Sequence, residues 1–189
     1  MTVACVLWGK EKYNRGHVES LRKQVAGEFV CLTDDPWAEW CVGIDGGLPG
    51  WWSKLELFSG RFDGPVLYLD LDVLITGDLR EILSLPCPKE TLWAIGEWKA
   101  PMINSSVMYF NGCKVVWDAF KPDVMEKMHG DQDWIGFVKP DFIHLPKGWV
   151  QSYKYSCVEG VPEGCKVVTF QGKPKIEDVR DGWVASFRR

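Results

Sequence analysis

Apolar residues fall along this chain in short runs bounded by turn-forming clusters, and these runs alternate with stretches of helical spacing. Val3 to Trp8 is the first run and reads as a strand. Val18, Leu21 and Val25 then recur at helical spacing, with Glu19, Arg22 and Lys23 on the opposite face. Phe29 to Leu32 is a second strand, closed by Thr33-Asp34-Asp35-Pro36. Strand, helix and strand in this order predict a parallel pair joined by a right-handed crossover. A Gly/Pro-rich loop, Gly43 to Gly50, leads into a helix from about Trp51 to Ser59. Val66 to Leu69 is apolar at every position after Gly64-Pro65, the pattern of a strand covered on both faces. A short helix over Leu79 to Leu83, strands over Leu92 to Ile95 and Ser105 to Phe110, and a helix over Val115 to Phe120 that Pro122 stops come next. Another helix starts near Asp131, Val167 to Phe170 is the last strand, and the tail beyond Lys175 is expected to wrap the surface through Trp183 and Phe187. No linker or repeat interrupts the pattern, so residues 1–189 read as one α/β domain with a mostly parallel central sheet and flanking helices.

Bulk numbers narrow the function classes. A chain of 189 residues can bury a core without staples, and 46% hydrophobic with 25% charged residues is an ordinary globular balance. The net charge, 22 − 26 = −4, leaves no basic footprint for nucleic acid. No apolar run approaches the ~20 residues of a membrane span, so no transmembrane segment is expected. The opening MTVACVLWGK has no basic leader and reads as strand rather than signal peptide. Seven cysteines without C-x-x-C spacing, with Cys5 and Cys31 in expected core strands, fit reduced thiols and a cytoplasmic location. Eleven tryptophans exceed ordinary usage; core and partner-facing positions account for most, and some are available as stacking platforms for sugars or bases.

The chemistry concentrates in GPVLYLDLDVLITGDL, Gly64 to Leu79. Asp70 and Asp72 follow the buried strand at i and i+2, a spacing that points both carboxylates to one side of an extended backbone. Two carboxylates so close are costly without a cation, and a hard divalent ion, Mn²⁺ or Mg²⁺, suits an all-oxygen set. Open α/β sheets bind ligands beyond the carboxyl ends of their strands. The expectation is a metal-dependent site for a phosphate-bearing ligand. A D-x-D pair that merely caps a turn is the plainer alternative, with Thr76-Gly77-Asp78 as the turn and helix cap.

Five ordered motifs together resemble a D-x-D glycosyltransferase of the GT-A fold, similar to the glycogenin and lipopolysaccharide galactosyltransferase group and to small bacterial or phage-borne glycosyltransferases. LYLDLDVLITGDL looks like the strand that ends in D-x-D, WWSKLELF like the segment whose lysine approaches donor phosphates, and NSSVMYFN like the strand lining the donor sugar. GDQDWI resembles the helix start near the reacting sugar, and TFQGKPK, with Gly172, the terminal segment that closes over metal and pyrophosphate.

The resemblance implies transfer of a sugar from a nucleoside diphosphate donor, UDP by default, to a hydroxyl of a glycan, a lipid-linked saccharide or a protein, with retention. For a phage-borne member the compartment is the host cytoplasm. Asp70 and Asp72 would hold Mn²⁺ or Mg²⁺, Lys54 and Lys175 would add positive charge at the phosphates, and Trp8, Thr33 and Asp34 would hold base and ribose. Trp8 in the core, and the lysines as surface residues, are the open alternatives. Asn104 and Ser106 would bind donor hydroxyls unless they are structural. Asp131 and Gln132 would face the anomeric carbon, with helix capping the alternative for Asp131; Asp133 would support that helix. The family's terminal motif supplies a histidine ligand, whereas here that position falls at Thr169 or Gln171. Gln171 could coordinate through its amide oxygen, and His17, His129 and His144 are not expected to substitute. Gly43 to Gly50 and Lys147 to Tyr155 are the segments expected to form the acceptor cleft.

Two rival readings use the same residues. In a haloacid dehalogenase-type phosphatase Asp70 would be the nucleophile and Asp72 the general acid, although that family carries its motif on the first strand. A non-catalytic carbohydrate-binding module would need only the tryptophans.

Overall fold

The computed structural model describes residues 2–44, 47–98, 102–180 and 182–187. The chain opens with β1 (Thr2–Leu7), α1 (Arg15–Gln24), β2 (Phe29–Thr33) and a short β3 (Cys41–Gly43). Asn14 caps α1 by accepting from Gly16 N–H, and its own N–H donates to the His17 ring, so two orphan donors are satisfied at that end. Val25, placed on the helix by spacing, lies one residue past its end and is still buried.

Gly50–Phe58 is a 3-10 helix, followed by β4 (Val66–Leu69), β5 (Val73–Ile75) and α2 (Arg80–Leu83). The second half supplies β6 (Thr91–Gly96), β7 (Ile103–Asn111), α3 (Val115–Asp118), α4 (Val124–Lys127) and α5 (Asp131–Val138). β8 (Ile143–His144), β9 (Val150–Ser152), a π-helical turn over Tyr153–Cys157, β10 (Val167–Thr169) and α6 (Trp183–Phe187) complete the chain.

Seven strands form one sheet in the order β3-β2-β1-β4-β7-β6-β8. The pairs β1–β2, β1–β4, β2–β3 and β6–β8 are parallel, and β7 runs antiparallel between β4 and β6. The expected parallel β-α-β opening is therefore present. A smaller sheet, β5-β10-β9, stands beyond the end of β4. No helix among the described residues is long and apolar enough to cross a membrane.

Strand alternation divides the large sheet into two cores. Val3, Cys5 and Leu7 of β1 join Leu67 and Leu69 of β4 under Val18 and Leu21 of α1. Ala4, Val66 and Tyr68 face the other side, against Leu55, Leu57 and Phe58 of the 3-10 helix and Trp134 and Ile135 of α5. This double covering is why Val66–Leu69 reads as an unbroken apolar run. A third cluster, with Leu74, Val168, Phe170 and Val184, ties the small sheet to α6. The tail is anchored through Trp183 and Phe187 as expected, both packing on this cluster from the short helix α6, with Trp183 donating to Cys157 O. All seven cysteines are free, and five of them, including Cys5 and Cys31, are buried.

Candidate functional site

A cleft of about 660 Å³ opens beyond the carboxyl ends of β1 and β4, where sheets of this kind bind ligands. It brings together Trp8, Lys54, Asp70, Asp72, Asp131 and Gln132, residues from four distant parts of the sequence. Asn104, Ser106 and Gln171 also line it. β4 ends at Leu69, and Leu71-Asp72 form a turn. The two carboxylates thus reach one cleft through a turn, not along the extended backbone that the i, i+2 spacing suggested. Asp70 stays registered to the sheet by its N–H, 2.9 Å from Ser106 O.

Lys54 is 7% exposed. Its Nζ lies 2.9 Å from Asp131 Oδ2, 3.2 Å from Asp70 Oδ1 and 3.0 Å from Ser105 Oγ. Lys54 lines the cleft as a buried strut joining the D-x-D turn to α5, so the surface alternative fails for it. Burial alone would lower the Lys54 pKa, but Asp131 and Asp70 outweigh it and hold the ammonium well above its ordinary value. Burial likewise pushes Asp70 up, and Lys54 together with the Tyr68 hydroxyl brings it below the usual carboxylate value. Tyr68 donates a short hydrogen bond to Asp70 Oδ1, and burial followed by that negative neighbour raises the Tyr68 pKa.

Asp72 is held differently. Tyr13 Oη donates to its Oδ2 at 2.7 Å, and Lys175 Nζ reaches the same oxygen at 2.8 Å. Burial, then Asp72, raises the Tyr13 pKa, so the phenol remains a donor. Lys175 therefore brings the C-terminal segment to the D-x-D turn, and His17 Nε2 with Glu177 Oε1, 2.6 Å apart, fastens the same segment to α1. Gly172 adopts a left-handed φ of 75°, which suits glycine at this bend.

Gln171 faces the cleft, but its amide is engaged: Oε1 accepts from Thr169 Oγ1 at 2.7 Å and Nε2 donates to Ser152 Oγ at 2.9 Å. Among the described residues no three His, Cys, Asp or Glu side chains are grouped to hold a metal. Asp70 and Asp72 remain a two-carboxylate, hard-oxygen set that fits Mn²⁺ or Mg²⁺, provided Lys175 yields its place on Asp72.

Trp8 is 41% exposed at the end of β1, which removes the core alternative. Thr33 and Asp34 lie in an adjoining hollow shared with Leu7 and Gly9, where the Asp34 carboxylate accepts from Gly9 N–H at 3.1 Å. Thr33 itself is fully buried. Asn104 donates to Glu97 Oε2 at 2.9 Å and accepts from Ser106 N–H at 3.0 Å. Gln132 Oε1 accepts from Ser105 N–H, and Ser105 Oγ donates to Asp131 Oδ2 at 2.8 Å. Gly130 is the N-cap of α5 and Asp131 stands in its first turn, where its Oδ2 is taken by Lys54 and Ser105. Asp133 does support the helix start, accepting from His129 N–H at 3.2 Å.

Tyr13, Tyr68, Glu97, Ser105, Trp51 and His129 also belong to this cleft or its struts and were not foreseen there. Tyr68 alone carried a signal, since it stands two residues before Asp70 on the strand face that the aspartate continues. Of the two segments expected for the acceptor, only Gly50 lines the cleft among the described residues; Asp45 and Gly46 lie outside them.

The architecture is a GT-A-type α/β fold. No protein-family profile and no curated protein sequence matches the chain. Solved structures do. The galactosyltransferase LgtC, in complex with donor and acceptor sugar analogs, matches with a TM-score of 0.70 at 15% identity, covering 99% of this chain and 94% of that one. The glycosyltransferase GlyE of Streptococcus pneumoniae TIGR4 gives 0.69 at 16% identity, covering 93% of this chain. This chain spans only 56% of the GlyE chain. A glycosyltransferase involved in glycosylation of the PBCV-1 major capsid gives 0.61 at 13% identity over 92% and 95% of the two chains. At such identities the likeness is one of fold. In this fold the D-x-D strand is fourth in the chain, with an antiparallel β7 beside it, an arrangement that does not suit the phosphatase reading.

Proposed function

We propose that the protein is a glycosyltransferase that moves a sugar from a nucleoside diphosphate donor, UDP-linked by preference, to an acceptor hydroxyl with retention at the anomeric carbon. The observation that carries this reading is the convergence of Asp70, Asp72, Asp131 and Gln132 on one cleft at the strand ends of a fold shared with solved glycosyltransferases. Two of these residues follow β4 and two open α5, so their meeting is a product of the fold and not of local sequence.

Charge supports a cation-assisted donor. The cleft is lined by Glu11, Asp70, Asp72, Glu97, Asp131 and Asp133 against Lys12 and Lys54, with Lys175 on Asp72, a formal 3 − 6 = −3. A diphosphate entering such a lining meets like charge unless counter-charge accompanies it. Asp70 and Asp72 would hold Mn²⁺ or Mg²⁺, which when bound supplies Lewis-acid neutralisation of the departing diphosphate.

The chain's own groups do the rest. Lys175, which reaches Asp72 Oδ2 from the C-terminal segment, would add its positive charge at the diphosphate. Asn104, its amide shared with Glu97 and Ser106 N–H, and Ser106 line the cleft where donor hydroxyls would lie. Trp8 with Asp34 would receive base and ribose, the buried Thr33 holding that turn by accepting from Asp35 N–H. Asp131, whose Oδ2 is held by Lys54 and Ser105, offers its carboxylate to an oxocarbenium-like transition state. Gln132, whose oxygen is fixed by Ser105 N–H, lines the cleft beside Asp131.

The test is a panel of nucleotide-sugars incubated with Mn²⁺, reading nucleoside diphosphate release and transfer to sugar acceptors. Release from one donor, abolished by Asp72→Asn and by Asp131→Asn, is the expected result. Phosphate release from p-nitrophenyl phosphate with no nucleotide-sugar turnover would overturn the proposal.

A further inference from the structure

Trp51 and Trp52 open the 3-10 helix together and are used oppositely. Trp52 is 6% exposed and packs against Phe120, whereas Trp51 is 59% exposed at the cleft. The Trp51 ring is seated on Gly130: a Cβ added there would stand 3.0 Å from its Nε1 and 3.2 Å from its Cδ1. Gly130 has an extended backbone that any residue adopts. What its missing side chain provides is room for the indole against the chain, one residue before Asp131.

A flat, solvent-facing indole thus borders the cleft on the wall formed by the 3-10 helix and α5, the wall that carries Asp131 and Gln132. The nucleotide positions, Trp8 and the Thr33-Asp34 turn, come instead from β1 and β2. His129 and Asp133, which flank Gly130 and the start of α5, line the same cleft with polar side chains. An apolar face rimmed by polar groups matches a pyranose, which presents C–H bonds on a face and hydroxyls at its edge. The acid excess of the lining disfavours an anionic acceptor.

We infer that Trp51 is the platform for a neutral sugar ring of the acceptor, so that the acceptor is a carbohydrate, whether free or at the end of a longer glycan. The acceptor role rests on the glycosyl-transfer reading; the saccharide site at Trp51 does not. Trp51 fixes acceptor specificity by stacking, and His129 and Asp133 select the hydroxyl pattern at the ring's edge.

The experiment titrates methyl glycosides of glucose, galactose and N-acetylglucosamine into the full chain, read by saturation-transfer NMR, with UDP and Mn²⁺ titrated separately. At least one glycoside is expected to bind, about tenfold more weakly to Trp51→Ala, the size of one aromatic contact of about 1.4 kcal/mol. Trp51→Phe should recover most of that affinity, and neither substitution should change UDP binding. Failure of every glycoside to bind, or equal binding by Trp51→Ala, would overturn the inference. So would loss of UDP affinity in Trp51→Ala in step with sugar affinity, because the ring would then belong to the donor. Trp51-dependent sugar binding without any UDP binding would uphold the saccharide platform and remove the transferase reading.

Discussion

Lys54→Met removes one charge and keeps most of the volume. The ammonium is buried between Asp131 Oδ2 at 2.9 Å and Asp70 Oδ1 at 3.2 Å, so its loss leaves two acids without their cation. Breaking a buried pair from one side costs about 3–5 kcal/mol, and at about 2–4 °C per kcal/mol for a chain of this size the melting temperature should fall by about 6–20 °C at pH 7. The sign of the pH dependence is the sharper test. In the native protein Lys54 is raised and Asp70 lowered. The lysine's contribution is therefore full below its ordinary value of 10.5 and lost as pH rises through the higher folded value. That of Asp70 is full above 3.8 and lost as pH falls through its lower folded value. Between those limits this cluster adds no slope. Without Lys54, burial raises the carboxylates, the folded state binds more protons than the unfolded one, and stability increases as pH falls from 7 toward 5. Thermal unfolding followed by circular dichroism at the two pH values reads this directly. A melting temperature within about 2 °C of the native protein's, or a deficit that deepens at pH 5, would refute the buried strut.

Two further substitutions test how the small sheet is attached. A Cβ at Gly77 would meet Cys165 O at 2.7 Å and Lys166 Cα at 3.1 Å, both backbone atoms, so Gly77→Ala should cost about 1–3 kcal/mol in urea unfolding, and a change within error would mean the two segments are not in contact. Phe170 is 1% exposed and stacks on Tyr153 at 4.7 Å. Phe170→Ala should cost about 3–5 kcal/mol, and faster proteolysis within 183–187 than in the native protein should show that α6 is released with it.

What could be read from the sequence depended on how local the cause was. Val66–Leu69 was legible because both faces of β4 are covered and every position had to be apolar. The β1–α1–β2 opening was legible because α1 buries one narrow stripe, Val18 and Leu21. The helix expected from about Trp51 to Ser59 is found at Gly50–Phe58, but its 3-10 character was not legible, since everything from Trp52 to Phe58 is buried and the 3-10 turn has no 3.6-residue period. β8 and β9, two and three residues long, are too short to show any period. At the site, Asp70, Asp72, Asp131 and Gln132 were visible as motifs. The Lys54 strut and the Tyr13–Asp72–Lys175 cluster were not, because each joins residues from distant segments. Gln171 shows the same limit: its chemistry suggested a ligand, and only its neighbours Thr169 and Ser152 reveal that the amide is occupied.

The central claim, that Asp70 and Asp72 receive a diphosphate together with a divalent cation, is tested most directly by isothermal titration of UDP into the protein with Mn²⁺ and again with EDTA. The account predicts saturable one-site binding that requires Mn²⁺ and disappears in Asp72→Asn. UDP that binds equally well in EDTA, or to Asp72→Asn as to the native chain, would contradict it.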